Sequence, residues 1–226
     1  MRLFTLCLAL FFAVCSNPLS AGLALNFSND NGTSFADSFS VQTGEKMTIG
    51  VFLQQTAPDT ILNDEGIVSW GFDIAPSSAM SGTLASPNIN ADFDFENHNV
   101  ATAGGYQLEY AQSSGTGVMG DSILLASFEF TSSAAGISEF TIGDRLVGSG
   151  PGNVTWLTPS FNTLDEQIFG AGAGDTYQFS VSSISAVPEP SSFLLLSGLG
   201  GYALLRRPRR KQLAKRHMLS GSRSHD

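Results

Sequence analysis

Val68-Ser69-Trp70-Gly71-Phe72-Asp73-Ile74 alternates large apolar residues with Ser, Gly and Asp. A period of two sets Val68, Trp70, Phe72 and Ile74 on one face of an extended chain and the small or polar residues on the other, the pattern of a half-buried β-strand. The same alternation recurs on both sides of this stretch. Met47, Ile49, Val51 and Leu53 form one face, Tyr106, Leu108 and Tyr110 another, and Leu124, Ala126, Phe128 and Phe130 oppose Ser127, Glu129 and Thr131. Tyr177, Phe179 and Val181 close the series. Between these runs stand turn-forming clusters: Asn29-Asp30-Asn31-Gly32, Thr43-Gly44, Ala75-Pro76-Ser77-Ser78 and Gly148-Ser149-Gly150-Pro151-Gly152. No long amphipathic helical period interrupts them. Short strands with frequent turns predict an all-β fold, a β-sandwich whose inner faces are filled by Trp70, Phe72, Phe128, Phe130, Phe140 and Ile142.

Bulk composition agrees. With 42% hydrophobic and only 14% charged residues the chain is too apolar for disorder, and its 24 glycines argue against long helices. Of 226 residues, those left between two targeting ends suit one core. The formal net charge of -9 hides an asymmetry. Residues 25–186 hold Lys46 and Arg145 against eighteen Asp and Glu, a net charge of -16. Such a surface repels nucleic acid, which needs clustered Lys and Arg to displace counterions. Cys7 and Cys15 both lie in the leading apolar segment, so a processed form carries no disulfide, zinc-thiolate or thiol nucleophile. Cys15 lacks a small residue just before it, which argues against a lipoprotein anchor.

Both ends read as addresses. Arg2, the apolar run 3–14, the helix-breaking Asn17-Pro18 and the small residues Ser20, Ala21, Gly22 and Ala24 follow the order of a secretory signal peptide. Cleavage by signal peptidase fits after Ala21 or Ala24, with Ala24 favoured, making residues 1–24 a signal helix. At the other end, Val187-Pro188-Glu189-Pro190-Ser191-Ser192 precedes the apolar run 193–205, and Arg206-Arg207-Pro208-Arg209-Arg210-Lys211 follows it. The prolines hold their segment extended, ready for an active site rather than a sheet. The thirteen residues 193–205 would rise about 20 Å as a hydrophobic helix, short of an about 30 Å hydrocarbon core. The arginines Arg206, Arg207, Arg209 and Arg210 act as a stop-transfer cluster and keep the acidic domain on the far side of the membrane.

These three parts in this order resemble the PEP-CTERM sorting signal of exported Gram-negative bacterial proteins. The resemblance covers residues 187–211 and implies recognition by an exosortase, an integral membrane enzyme, with cutting near the Pro-Glu-Pro. Val187, Pro188, Glu189 and Pro190 are then substrate residues. It also implies transient membrane anchoring, then delivery to the cell surface or an exopolysaccharide matrix. The chain departs from the usual pattern by continuing through a basic cytoplasmic tail, residues 212–226. An ordinary C-terminal membrane anchor would share the apolar run and the arginines.

Val41-Gln42-Thr43-Gly44-Glu45-Lys46-Met47 leading into a strand, the central strand 67–74, and Gly120-Asp121-Ser122 opening a long strand before Ala135-Gly136-Ile137-Ser138-Glu139-Phe140 resemble the order of features in cohesin-like sandwiches. That resemblance implies a sandwich of cohesin-like or jelly-roll type over residues 44–143, and nothing identifies a dockerin partner.

Candidate chemistry is sparse. Asp92-Phe93-Asp94-Phe95-Glu96 sets three carboxylates on one strand face, but a spacing of about 6–7 Å is too wide for one Ca²⁺. A solvated outer face is expected. Asp30-Asn31-Gly32 echoes a calcium loop without its terminal glutamate and reads as a turn. His98, the only histidine between the addresses, has no Gly-x-Ser-x-Gly elbow to serve. Eighteen acids permit too many glycosidase pairs to single one out. Trp70 reads as core; Trp156, beside Gly and Pro turns, is the better candidate for an exposed sugar-stacking ring, although a residue with no binding role is the leading reading there too. No catalytic residue, metal set or cofactor is expected. The leading function is that of a non-enzymatic structural or adhesive surface protein, and the alternative is a carbohydrate-binding module acting on matrix exopolysaccharide through Trp156.

Overall fold

The computed structural model describes residues 22–145, 155–170, 172 and 174–185. The expected signal helix and C-terminal hydrophobic helix lie outside them. Eleven strands form two sheets among the described residues. The first contains β1 (Gly22–Ser28), β3 (Lys46–Thr56), β9 (Ser122–Ser132) and β5 (Gly82–Leu84) in that order, with β6 (Asn88–Ile89) also paired to β9. The second runs β2 (Ser38–Gln42), β11 (Thr176–Ile184), β10 (Gly136–Asp144), β4 (Ser69–Pro76), β8 (Tyr106–Ala111) and β7 (Phe95–Ala101). Every pairing is antiparallel except that of β2 with β11, which is parallel. Among the described residues two short helices complete the set, α1 (Ile61–Asp64) and α2 (Asp165–Phe169). None of the described helices is long and apolar enough to cross a membrane.

The chain passes repeatedly between sheets, so neighbours in sequence often face each other across the core rather than pair. β9 and β10 are joined by a short connection yet belong to opposite sheets, and Phe130 meets Phe140 edge-on across the gap at 6.1 Å. Phe27 of β1 similarly meets Phe179 of β11 at 4.8 Å, and Tyr106 of β8 meets Phe128 of β9 at 6.1 Å. The six residues expected to fill the inner faces, Trp70, Phe72, Phe128, Phe130, Phe140 and Ile142, are all fully buried. This is the all-β sandwich that the alternating stretches predict. Trp70 is stacked against Phe72 at 5.2 Å and Tyr110 at 5.5 Å, with Phe93 meeting it edge-on.

One strand departs from the simple alternation. The register of β3 with β9 shifts so that Val51 faces Ala126 but Phe52 faces Leu124, leaving Leu125 as an extra residue. The bulge turns the first half of β9 over by one residue. Ile123 and Leu125 are therefore buried, while Leu124, expected on the core face, is only half-buried and lies near Gly50 on the other side.

Turns do structural work at two glycines. Asn31 at φ 59° and Gly32 at φ 83° bend residues 29–35 down over Phe52, whose ring also meets Phe35 edge-on at 5.5 Å. A Cβ on Gly32 would come within 2.9 Å of that ring, and the left-handed conformation itself favours glycine. Gly105, where the turn from β7 enters β8, lies against the backbone of Ile74, and a Cβ there would overlap the Ile74 carbonyl oxygen. At the far end of the sandwich Ser81 Oγ lies 3.0 Å from both Ser138 Oγ and Ser183 Oγ, a buried hydroxyl cluster joining the entry of β5 to β10 and β11.

Phe140 tests the seam most directly, because it is fully buried and stacks on Phe179 at 5.0 Å. Phe140→Ala is expected to lower unfolding free energy by about 3–5 kcal/mol in urea titration. Ile137→Ala on the same strand, where the side chain is 59% exposed, should change it by no more than about 0.5 kcal/mol.

Candidate functional site

The sorting residues Val187, Pro188, Glu189 and Pro190 and the stop-transfer residues Arg206, Arg207, Arg209 and Arg210 lie outside the described residues. What the structure describes is the place they follow. β11 ends at Ile184, whose carbonyl oxygen accepts hydrogen bonds from the Thr43 backbone N–H at 2.9 Å and the Thr43 hydroxyl at 3.1 Å. The last strand is thereby pinned to the turn between β2 and β3.

The acidic features noted in the sequence take separate partners. Asp94 accepts hydrogen bonds from the Ser113 hydroxyl at 2.6 Å and the Ser113 N–H at 2.8 Å, which hold its carboxyl below the usual range. Glu96 accepts from the Tyr110 hydroxyl at 2.9 Å. Burial and then this contact push the Tyr110 phenol up to about 12. Asp92 sits in an exposed turn. Asp30 is held down at about 2 by hydrogen bonds from Ser28 and Ser34, closing the loop over Phe52. His98 stands on the edge strand β7, and its Nε2 is buried with no hydrogen-bond partner, so no hydroxyl is bonded there for activation.

Trp156 is not the exposed platform that its neighbouring turns suggested. Thr155-Trp156-Leu157 lies along the start of β4, with isolated bridges from Leu157 to Ser69 and to Thr163. This draws the indole fully into the core, where Nε1 donates to the Gly71 carbonyl at 2.7 Å and the ring meets Phe169 edge-on at 6.0 Å. Both faces are therefore unavailable to a sugar. The exposed aromatic of this region is Phe161, 78% accessible and held at φ 61°. It borders a groove of about 360 Å³ shared with Val68, Asn97, Ala111, Gln112 and Leu157.

A second feature has no precursor in the sequence reading. Ser138, Phe140, Ile142 and Asp144 are successive inward positions of β10, so Asp144 continues the core face and is 8% exposed. Asp165, the first residue of α2, is 6% exposed. Its Oδ1 accepts from the Thr155 N–H at 3.1 Å, and the Thr155 hydroxyl lies 3.4 Å away. Both oxygens of Asp144 and Oδ2 of Asp165 are buried without a hydrogen-bond partner. Burial, then the charge of Asp165, pushes the Asp144 carboxyl up to about 6, and burial raises Asp165 as well. Arg145 is directed elsewhere, to Asp73 Oδ1 and Glu109 Oε2, each at 3.4 Å. Among the described residues no three of His, Cys, Asp and Glu converge as a ready-made metal set. The spacing of Asp144 two residues beyond Ile142 was the available signal, since continued alternation would have placed it inside.

Comparison with known proteins adds the following. No curated protein sequence matches the chain. Among solved structures, it is similar to a type I cohesin–dockerin complex from Clostridium thermocellum, with 14% identity and a TM-score of 0.48 over 72% of this chain and 99% of that one. It is also similar to a cohesin from Clostridium acetobutylicum, with 14% identity and a TM-score of 0.48 over 74% of this chain and 94% of that one. A cohesin module of a Clostridium perfringens family 33 glycoside hydrolase gives 9% identity and a TM-score of 0.47 over 74% and 99%. Likenesses at this level supply neither partner nor activity. A family model for the PEP-CTERM protein-sorting motif matches residues 186–211. The chain therefore carries a PEP-CTERM sorting motif, which implies an exported protein processed at the membrane by an exosortase.

Proposed function

We propose that this chain is a non-enzymatic surface or exopolysaccharide-matrix protein with a structural or adhesive role, delivered and trimmed through residues 187–211. The observation that carries the reading is the junction. The last strand ends at Ile184 and the sorting motif begins at residue 186, so cutting at the Pro-Glu-Pro removes no strand of the sandwich. The apolar run 193–205 then serves as a transient hold, and Arg206, Arg207, Arg209 and Arg210 set its direction.

The same logic applied at the other end favours Ala21 over Ala24 as the signal-peptidase site. Gly22, Leu23 and Ala24 pair with Thr56, Gln55 and Gln54 in the ladder of β1 with β3. Leu23 is 4% exposed, and burying such a side chain contributes about 1.5–3 kcal/mol. A cut after Ala24 discards that contribution along with three residues of an edge strand.

A second reading, a carbohydrate-binding module, now rests on Phe161 instead of Trp156. An accessible ring beside the amides of Asn97 and Gln112 offers the mixed apolar and polar surface that a sugar ring uses.

The intact mass of protein recovered from the matrix is expected to show a species that begins at Gly22 and lacks residues 193–226. A full-length species lodged permanently in the membrane would sink the sorting assignment, while an amino terminus at Leu25 would sink only the choice of Ala21. Replacing Arg206, Arg207, Arg209 and Arg210 with Gln should abolish trimming, and unaltered trimming would show that the charge cluster is not used. For the second reading, Phe161→Ala should reduce retention on isolated matrix polysaccharide by about tenfold, the order of one lost stacking contact, with the melting temperature unchanged. Equal retention removes that reading and leaves the sorting assignment intact.

A further inference from the structure

Asp144 and Asp165 stand apart from every other acidic residue described above. Each is more than nine-tenths buried, and Asp144 Oδ1, Asp144 Oδ2 and Asp165 Oδ2 receive no hydrogen bond of good geometry; the Arg145 backbone N–H and the Thr155 hydroxyl are the donors nearest Asp144, and they offset its burial only in part. Buried carboxylates are ordinarily hydrogen-bonded or paired with a cation, because an ionised group without a partner in a low-dielectric interior is strongly destabilising. Their environment compounds the problem. Asp73 adds a third negative charge near Asp144, and Glu109 lies on the next strand over. The cation of this region, Arg145, extends to Asp73 and Glu109 on β4 and β8. Lys46, the other cation of residues 25–186, is at the surface with Glu129. Thr155 is the polar neighbour of the pair, with its N–H given to Asp165 Oδ1 and its hydroxyl 3.4 Å from both that oxygen and the Gly71 carbonyl oxygen.

We propose that Asp144 and Asp165 together bind a hard divalent cation of the calcium class, joining the end of β10 to the start of α2. Oxygen-only donors and two full negative charges suit Ca²⁺, which takes six to eight oxygens and tolerates irregular geometry. Two carboxylates supply the charge and the three free oxygens; water or peptide oxygens complete the shell. The cation ties together three segments that no strand pairing connects directly: β10, α2 and the Thr155-Trp156 segment seated on β4.

Acid separates cation from proton: a bound cation favours the ionised carboxylates, so its stabilisation shrinks as they are protonated.

The test uses the exported domain, residues 22–185, purified with a chelator, and Ca²⁺ itself as probe. At pH 7.5 a Ca²⁺ concentration about 100-fold above Kd should raise the melting temperature by roughly 5–10 °C, and the rise should shrink at pH 5. Tb³⁺ in place of Ca²⁺ should show luminescence sensitised by Trp156, which adjoins Thr155. Asp144→Asn and Asp165→Asn should each abolish both responses. Metal-free Asp144→Asn should melt at or above the unsubstituted protein at pH 7.5, because it removes a buried charge; a merely structural carboxylate would instead lower that temperature. The absence of any Ca²⁺ shift at pH 7.5, with stabilisation on acidification alone, would show that the pair holds only a proton and overturn the proposal. A Ca²⁺ shift that survives in both variants would overturn it equally, by placing the ion elsewhere. Neither result bears on processing at residues 187–211, so the sorting assignment stands or falls separately.

Discussion

Phe140 and Phe179, stacked at 5.0 Å with their planes 19° apart, join two neighbouring strands of one sheet while each also reaches the other sheet. Phe179 meets Phe27 of β1, and Phe140 meets Phe130 of β9. This mutual burial of two aromatic faces is the constraint on which the rest depends. A sheet of this kind is apolar on one side and must cover that side with another. Because seven of the ten connections between successive described strands cross from one sheet to the other, the hairpins β7–β8 and β10–β11 alone cannot assemble the fold. It closes only when strands far apart in sequence meet, β1 with β3, β2 with β11 and β4 with β10. Such long-range pairing goes with slow folding.

Polar groups inside this seam fall into two kinds. The serine cluster of Ser81, Ser138 and Ser183 is neutral and internally satisfied, so it binds three segments at little electrostatic cost. Asp144 lies on the same face of β10 as Ser138, at the opposite end, but carries a charge that its neighbours do not satisfy. One strand thus presents hydroxyl, two apolar side chains and carboxylate in a single inward row. The two ends differ because a hydroxyl can both donate and accept, as Ser81 does between Ser138 and Ser183, whereas an ionised carboxylate only accepts.

Much of the sandwich was legible because period-two alternation reports burial directly. Trp70, Phe72, Phe140 and Ile142 were placed correctly from pattern alone. The pattern misleads where one residue changes the phase. The bulge at Leu125 reverses the facing of the start of β9 without any Gly or Pro to mark it, so Leu124 reads as core when Ile123 and Leu125 fill that role. Trp156 departs from its turn-rich surroundings for another reason. Turn residues signal that a chain bends, not that it remains outside, and the indole N–H finds its acceptor at Gly71, a residue distant in sequence. The carboxylate pair was hidden by composition, since eighteen acids in one acidic domain give no reason to prefer two, and their proximity depends on the path between β10 and α2. The sorting tail was legible for the opposite reason: its message is linear, carried by prolines, an apolar run and arginines in order, and it needs no fold to be read.

The parallel pairing of β2 with β11 has a mechanical consequence. β11 is an interior strand, bonded to β2 on one side and to β10 on the other, and its final carbonyl is gripped by Thr43. A pull on Ser185 along the axis of this strand loads it in shear. Both ladders then resist as a set of bonds strained simultaneously, and none can be peeled off singly from an end. A load along that axis is thereby shared by both ladders at once.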